Sequence, residues 1–334
     1  YLGPLTTDAS GKFSGTFSVP SGITPGTSQI VATATDGSNN TSELSAGALV
    51  AFPGAISGTV FEDVNYGGGA GRSLASSGGV GRGGATVELY DSSGAWVSST
   101  TTASGGTYSF TSVAAGTYYV RVVSGSVSSS RYVSGTVPVG VMTYRTTATS
   151  GSAVAVTDFV GGTNPASADP GAAATGAAFS TSSFVYSAGL SGTAHAVAPV
   201  TLGASHITGV DFGFNFDTVI NTNNSGQGSL RQAMDNANTL TGDASLAQSG
   251  RTAATEHLVF MIPNGTTGGG GSLGLADGGL RASLNAFTSG IAVMAPASAL
   301  PQVYTSVVID ARTQPGWTGS PIVELNGTGA GSGT

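Results

Sequence analysis

The residues best suited to chemistry in this sequence lie in the stretch Asp63-Val-Asn65-Tyr-Gly67. Asp63 and Asn65 place oxygen-bearing side chains at alternate positions, and Ca²⁺ binds six to eight hard oxygen ligands of this kind. Gly67 supplies no third ligand, and the twelfth position counted from Asp63 is not an acid. The spacing therefore predicts a calcium site at Asp63 and Asn65, with an Asx-type turn at a strand end as the alternative interpretation.

A second set of charged side chains consists of Asp310, Arg312 and Glu324. Cleavage of polysaccharides needs paired carboxylates, or an acid beside a basic residue, on neighbouring strands. Asp310 and Arg312 also fit a simple salt-bridged bend, because they lie in the turn-like segment D-A-R-T-Q-P-G. We therefore expect no catalytic residue and no enzyme, and a carbohydrate-active enzyme is kept as the alternative hypothesis.

Histidine and cysteine add no further candidate site. His195, His206 and His257 are too scattered for the spacing of metal ligands. The sequence has no cysteine, which excludes structural disulfides and thiolate metal sites. Apart from calcium, no cofactor is expected.

The composition indicates an all-β protein with many turns. Glycine accounts for 54 of 334 residues and only 8% are charged, yet 39% are hydrophobic, which is too many for a disordered linker. Only ten residues are basic and the formal net charge is −7, which argues against nucleic acid as a partner. No apolar run is long enough to span a membrane.

The elements that must position these residues meet between Gly209 and Leu240. Val and Phe alternate with Asp, Gly and Asn over residues 210–216, the period of a strand with one buried face. Ser-Leu-Arg-Gln at 229–232 is a capping box, and it opens a predicted amphipathic helix over residues 229–239. A stack of short strands exposes an apolar cross-section at its end, and this helix is predicted to cap it.

The first unit, residues 1–50, has predicted strands at 12–19 and 29–35 and a turn at Asp36–Asn40. The pattern T-T-D-x-x-G-x-F at 6–13, with A-T-A-T-D at 32–36 and N-T-S-E at 40–43, resembles the C-terminal half of bacterial immunoglobulin-like repeats. The resemblance implies a partial Ig-like β-sandwich, because such a domain has about seven strands and only three or four fit here. The missing strands are expected from upstream sequence or from a neighbouring molecule by strand addition.

The second unit, residues 54–216, carries G-T-V-F-E-D at 58–63, G-A-T-V-E-L-Y at 84–90 and G-x-Y-x-F with G-x-Y-x-V-R-V over 106–122. These motifs resemble the B-type repeats of serine-aspartate-repeat adhesins and related collagen-adhesin stalk domains. The resemblance implies a prealbumin-like β-sandwich used as a rigid spacer. Such stalk domains often carry a Lys–Asn isopeptide bond, but residues 54–334 contain no lysine, and Lys12 is expected to be solvated. Residues 124–205 show few strand signals and are predicted to be long surface excursions.

The third unit, residues 217–334, has short predicted strands at 257–263, 291–295, 306–310 and 321–326. It contains N-T-N-N-S-G-Q-G-S-L-R-Q-A at 221–233, V-F-M-I-P at 259–263, A-L-P-Q-V at 299–303 and V-V-I-D-A-R-T-Q-P-G-W at 307–317. This combination resembles the opening of right-handed parallel β-helices in large bacterial surface proteins. The resemblance implies the first coils of a β-solenoid, capped by the helix over 229–239.

These observations predict a structural protein outside the cell or on a bacterial surface, an adhesin stalk or a fibre subunit. The expected partners are other copies of the chain, joined head to tail by β-strand complementation, together with carbohydrate or matrix. A calcium-dependent binding module is a further alternative hypothesis.

Overall fold

The structure is a computed structural model, and it describes residues 2–13, 15, 21–23, 28–49, 53–149, 151–173, 177–180, 185–187, 193–203, 205–242, 252–268 and 277–331. In the first unit, β1 (Gln29–Ile30) pairs antiparallel with β2 (Ala48–Leu49). The predicted turn is present, because the Asp36 carboxylate accepts the backbone N–H groups of Ser38 and Asn40 at 2.8 and 2.9 Å. The strand predicted over 29–35 is shorter than expected, and much of the one predicted over 12–19 lies outside the described residues. The Ig-like sandwich stays a prediction.

The second unit is built on a curled sheet of ten strands. Along the chain these strands are β3 (Gly54–Glu62), β4 (Val80–Gly81), β5 (Thr86–Asp91), β6 (Trp96–Thr101), β7 (Thr107–Val113), β8 (Gly116–Val122), β9 (Val141–Thr149), β10 (Val154–Val156), β13 (Ala196–Leu202) and β14 (Phe212–Asn215). Their spatial order is β4-β3-β14-β9-β13-β8-β5-β6, with β7 beside β3 and β10 beside β9. A separate hairpin joins β11 (Ala178–Ser180) to β12 (Val185–Ser187), and the short helix α1 (Leu74–Ser77) lies between β3 and β4.

The core of the second unit follows the alternation of its strands. In β7, Tyr108 and Phe110 are buried whereas Thr107 and Ser109 are exposed, the period of a sheet with one buried face. The same rule explains the meander predicted over residues 85–123, since β5, β6, β7 and β8 all form within it.

Two predictions for this unit were wrong. Residues 124–205 contain β9 and β13, which pair with each other in the middle of the sheet, so they are not surface excursions throughout. Their low charge and many small residues reflect burial on both faces, which hides the alternation that marks a half-buried strand. The strand expected over 210–216 forms as β14, but the face expected to be polar is buried too, with Gly213 buried and Asn215 1% exposed.

In the third unit the strands pair in parallel. Along the chain they are β15 (Thr218–Val219), β16 (Glu256–Phe260), β17 (Ala292–Met294), β18 (Val307–Asp310) and β19 (Val323–Leu325). One sheet has the order β15-β16-β18, and β17 pairs with β19 in a second sheet. The four strands predicted from the sequence all form at their expected places. A solenoid that continues these parallel pairs stays a prediction.

The predicted helix forms as α2 (Leu230–Ala237). The Ser229 side chain accepts the Gln232 backbone N–H at 3.2 Å, which is one half of the expected capping box. The other half is absent from α2, since the Ser229 backbone N–H donates to the Gly226 carbonyl at 3.1 Å instead of to the Gln232 side chain. The apolar face of α2 packs into one cluster with strand residues of the third unit, among them Val219, Leu258 and Phe260. No helix of the described residues is long and apolar enough to cross a membrane.

Candidate functional site

The most charged buried region of the described residues is the junction, which we define as the contacts between the second unit and the third unit. At its centre lies Arg131, whose side chain is 5% exposed. Its guanidinium contacts three carboxylates that come from three separate parts of the chain: Glu62 at the end of β3, Asp217 before β15, and Glu256 on β16. One side chain thus joins the sandwich to the parallel strands.

Each of the three guanidinium nitrogens of Arg131 contacts a carboxylate. Nη1 lies 3.0 and 2.9 Å from the two carboxylate oxygens of Glu256, Nη2 lies 2.7 Å from Asp217, and Nε lies 3.3 Å from Glu62. Glu62 also accepts the Ser129 hydroxyl at 2.6 Å and the Ser130 backbone N–H. Because a buried carboxylate without hydrogen bonds is costly, each of the three acids depends on the partners that this cluster supplies.

An apolar contact lies beside the ion cluster. Tyr66, which is 3% exposed, packs with Val141 and Val160 of the second unit and with Ile220, Val259, Met261 and Leu280 of the third. Its hydroxyl donates to the Gly69 carbonyl at 2.6 Å. Glycine allows close approach between this loop and the third unit, since a Cβ on Gly279 would lie 2.7 Å from the Gly69 carbonyl oxygen. The glycine-rich loop after β3 is therefore a packing surface.

A third contact at the junction places an aromatic ring between two arginines. The guanidinium carbon of Arg145, on β9, lies 3.8 Å from the centroid of the Phe159 ring, and that of Arg281, in the third unit, lies 4.0 Å from it. Burial lowers the pKa of Arg145 to about 10, and the Arg281 charge acts in the same direction. Arg281 also donates to the Thr163 carbonyl at 3.2 Å. The ring gives both cations a favourable face.

The predicted calcium residues lie at the edge of this junction. Asp63 is fully buried and Asn65 is 5% exposed. Arg72 donates from Nη2 to the Asn65 carbonyl oxygen at 2.6 Å and lies 3.5 Å from Asp63 Oδ1. Burial raises the pKa of the Asp63 carboxyl to about 7, and the Arg72 charge acts in the opposite direction. A cation of the chain is already present at the predicted site.

The oxygen donors at this loop do not make up a calcium shell. Asp63 Oδ2 and Asn65 Oδ1 are buried without a hydrogen-bond partner in the described chain, which is the feature that suits a metal. Ca²⁺ needs six to eight oxygens, however, and Gly67 brings no side chain. Among the residues that the structure describes, no group of three or more His, Cys, Asp or Glu side chains is placed to hold a metal ion. The residues present do not fit calcium, and the calcium site stays a prediction from the sequence pattern.

The residues of the alternative enzyme hypothesis are not gathered into a site. Arg312 binds Asp310 through two contacts of 2.9 and 3.0 Å, which is the predicted salt-bridged bend. Glu324 lies on β19, in a different sheet from Asp310 on β18. His206 is exposed, whereas His195 and His257 are buried.

His195 belongs to a second buried network, which lies within the second unit. Its backbone N–H donates to Asp169 at 2.8 Å, and its Nε2 lies 2.5 Å from the Ser167 carbonyl oxygen. Asp169 in turn binds Arg121 at 3.1 Å, and Arg121 binds Glu88 at 2.7 Å. Burial lowers the pKa of His195, against the opposing effect of the Asp169 charge. This network holds residues 167–173 over the outer face of β5 and β8.

A shallow cleft of about 300 Å³ lies near the N-terminal half of β3. It is lined by hydroxyl groups and one acid, which is the chemistry of a sugar site: Ser57, Thr59, Thr107, Tyr108, Thr208 and Asp211. The acid, however, accepts the Thr59 backbone N–H at 2.7 Å, and the Tyr108 hydroxyl donates to the Val210 carbonyl at 2.5 Å. The acid and the tyrosine hydroxyl are thus hydrogen-bonded to the backbone of the protein, so we do not assign a ligand to this cleft.

Sequence reasoning missed Arg131, because no motif contains it. The available signal was electrostatic. Glu62, Asp217 and Glu256 lie in or beside apolar strands, and a chain with only ten basic residues must use one of them to neutralise each buried acidic cluster. Sequence position alone does not say which arginine is used.

The fold and the junction define a mostly β protein in which a sandwich and parallel strands share buried charges. Within it, residues 54–158 match the family model of the SdrD B-like domain. The matched range runs from the beginning of β3 to just beyond β10 and covers under a third of the chain. The predicted adhesin-type sandwich is confirmed for that part.

No curated protein matches the chain. Among solved structures, the major pilin subunit of Bacillus cereus is similar at 16% identity with a TM-score of 0.22. That similarity covers 42% of this chain and 36% of the pilin chain. A likeness of this size carries no conclusion about the fold or function of this chain.

Proposed function

We propose that this chain is a structural segment of a bacterial surface protein, in which the junction makes the second and third units one stiff element. The observation that carries the proposal is the Arg131 cluster, in which one guanidinium holds acids from both units with side-chain exposures of 5% or less. A hinged pair of domains has a polar, hydrated interface. Here ion pairs and the Tyr66 cluster are both buried, which favours a spacer that transmits force.

The third unit is proposed to be the opening of a β-solenoid that lengthens this spacer. Parallel pairing of β15, β16 and β18, with β17 and β19 in a second sheet, is the pairing expected of successive coils. The packing of α2 against β15 and β16 suits the capping role predicted for that helix.

Head-to-tail assembly is the finer part of the proposal. On β18, Val308 and Ile309 are 39% and 48% exposed, and Leu325 on β19 is 52% exposed. A strand edge with exposed apolar side chains favours addition of a further strand. We propose that a strand of the first unit of a second copy fills this place.

Two measurements test the proposal at its two levels. Calorimetry of the full chain is expected to show one cooperative transition for residues 54–331, and two well-separated transitions would contradict the stiff element.

Negative-stain electron microscopy is expected to show linear polymers that disappear on deletion of residues 2–50. Polymers that survive this deletion would exclude strand donation by the first unit and would leave the stiff-element proposal standing.

Surface location is tested on intact cells that make the protein. Brief protease treatment is expected to remove the protein from cells that stay unlysed, while a cytosolic marker survives. A protein that becomes protease-sensitive only after lysis would contradict a surface location.

A further inference from the structure

We propose that Arg72 takes the place of a metal ion in the Asp63–Asn65 loop, so that the junction keeps its structure without calcium. The proposal concerns how the loop is held and is independent of the stalk function. It rests on three observations: where the guanidinium lies, which oxygens it contacts, and what surrounds the loop.

The guanidinium of Arg72 contacts the kinds of oxygen that a metal ion would take. Its Nη2 is 2.6 Å from a backbone carbonyl oxygen, that of Asn65, and 3.5 Å from a carboxylate oxygen, that of Asp63. Carbonyl and carboxylate oxygens at alternate positions of one loop are ligands that Ca²⁺ prefers. A planar guanidinium is also a strong donor to such oxygens and carries its charge at any physiological pH.

No acid close in sequence is available to complete a metal shell. Glu62 precedes Asp63 directly, but its carboxylate accepts from Ser129, Ser130 and Arg131. With Gly67 at the third ligand position, the loop offers one carboxylate, and a single guanidinium matches that charge. A divalent ion would leave an excess of positive charge in a buried site.

The walls of the loop are already occupied by protein. The Asn65 side chain donates to the Ser77 carbonyl at 3.0 Å, so α1 closes one side. Gly69, on the other side, donates to the Met261 sulfur at 3.3 Å. Residues 61–69 are all buried. The loop is thus packed between α1 and the third unit, with the guanidinium of Arg72 on its oxygens.

The test compares thermal unfolding of the full chain in EDTA and in calcium chloride, with calorimetric titration of calcium in parallel. The wild-type protein is expected to unfold within about 1 °C of the same temperature in both buffers and to give no titration signal. Arg72→Ala is expected to lower the unfolding temperature by at least about 4 °C, because the buried Asp63 side chain must then either take up a proton or stay charged without a cation. Arg72→Lys keeps the positive charge but loses the planar guanidinium. Its unfolding temperature is expected to lie between those of the wild type and Arg72→Ala.

Two further variants separate charge from packing. Asp63→Asn in the Arg72→Ala background removes the buried ionisable group and is expected to restore part of the loss. Arg312→Ala removes an arginine that is also paired with an aspartate but whose side chain is 55% exposed, and it is the matched control, with a smaller expected change. Stoichiometric calcium binding that stabilises the wild type would overturn the proposal, as would an Arg72→Ala protein no less stable than the control.

Discussion

Arg131 and Glu256 lie 125 positions apart in the chain, and the two oxygens of the Glu256 carboxylate lie 3.0 and 2.9 Å from one nitrogen of the Arg131 guanidinium. Arg131 follows β8 in the second unit, and Glu256 begins β16 in the third. Because both side chains are buried, neither can be solvated if the other is lost. We therefore expect this pair to link the folding of the two units.

Replacement of Arg131 by Met is expected to lower the free energy of unfolding by about 3–5 kcal/mol, the usual cost of leaving buried charges without a partner. Three carboxylates would then face one another in the junction. Urea denaturation followed by tryptophan fluorescence measures the change. The double variant Arg131→Met/Glu256→Met is expected to be more stable than Arg131→Met alone, since it removes one of these charges.

The control for this prediction is Arg312→Met, because Arg312 is also paired with an acid but its side chain is 55% exposed. Its unfolding is expected to change little. Equal effects of the two single variants would show that burial at the junction contributes nothing special.

Replacement of Tyr66 by Ala is expected to lower the free energy of unfolding by about 3–5 kcal/mol, as for other large buried aromatic side chains. Tyr66→Phe keeps the packing with Met261 and Leu280 and loses one hydrogen bond to Gly69, so its expected cost is about 1 kcal/mol. Calorimetry distinguishes the two variants. Separate unfolding of the third unit in Tyr66→Ala would show that the apolar cluster around Tyr66 couples the two units. Equal losses of unfolding free energy in Tyr66→Phe and Tyr66→Ala would contradict the packing argument.

Local patterns predicted much of the fold. The Ser229 cap, the buried face of α2 and the four short strands of the third unit were all apparent in the sequence, because each depends on residues close together in the chain. Strands β9 and β13 were missed for the same reason. Their neighbours are distant in sequence, both of their faces are covered, and small residues such as Ala196 and Ala198 show no amphipathic signal.

The site was harder to predict than the fold. Asp63 and Asn65 were singled out by their spacing, and the structure does place them in a buried loop with unpartnered oxygens. The spacing did not reveal Arg72, because a guanidinium reaches the loop from outside the motif. The spacing also did not reveal that Tyr66, which directly follows Asn65, packs against the third unit. Tertiary contacts decide both points.

Replacement of Phe159 by Leu is expected to destabilise the junction by about 1–3 kcal/mol, because the ring contacts the guanidinium groups of both Arg145 and Arg281. Without the ring, the buried Arg145 and the partly buried Arg281 lose this attractive surface. Phe159→Tyr keeps an aromatic face and is the matched control. Chemical denaturation measures both, and Arg281→Met is expected to reduce the penalty of Phe159→Leu in the double variant. A penalty that is unchanged by Arg281→Met would contradict the electrostatic part of this account.

Acid is expected to weaken the second unit through His195. Burial lowers the pKa of this histidine in the folded protein below its ordinary value of 6.5, so the unfolded chain binds the proton more readily than the folded one. The contribution of His195 to stability is therefore complete above pH 6.5 and is lost as the pH falls below it, by up to about 1.4 kcal/mol per pH unit. Unfolding free energies of the wild type and His195→Gln, measured between pH 7.5 and 5, test this directly. Contributions from other groups, including the opposite one from Asp63, are common to both proteins and cancel in the difference. The wild type should lose more stability on acidification than the variant, and parallel curves would show that the buried imidazole does not titrate on unfolding.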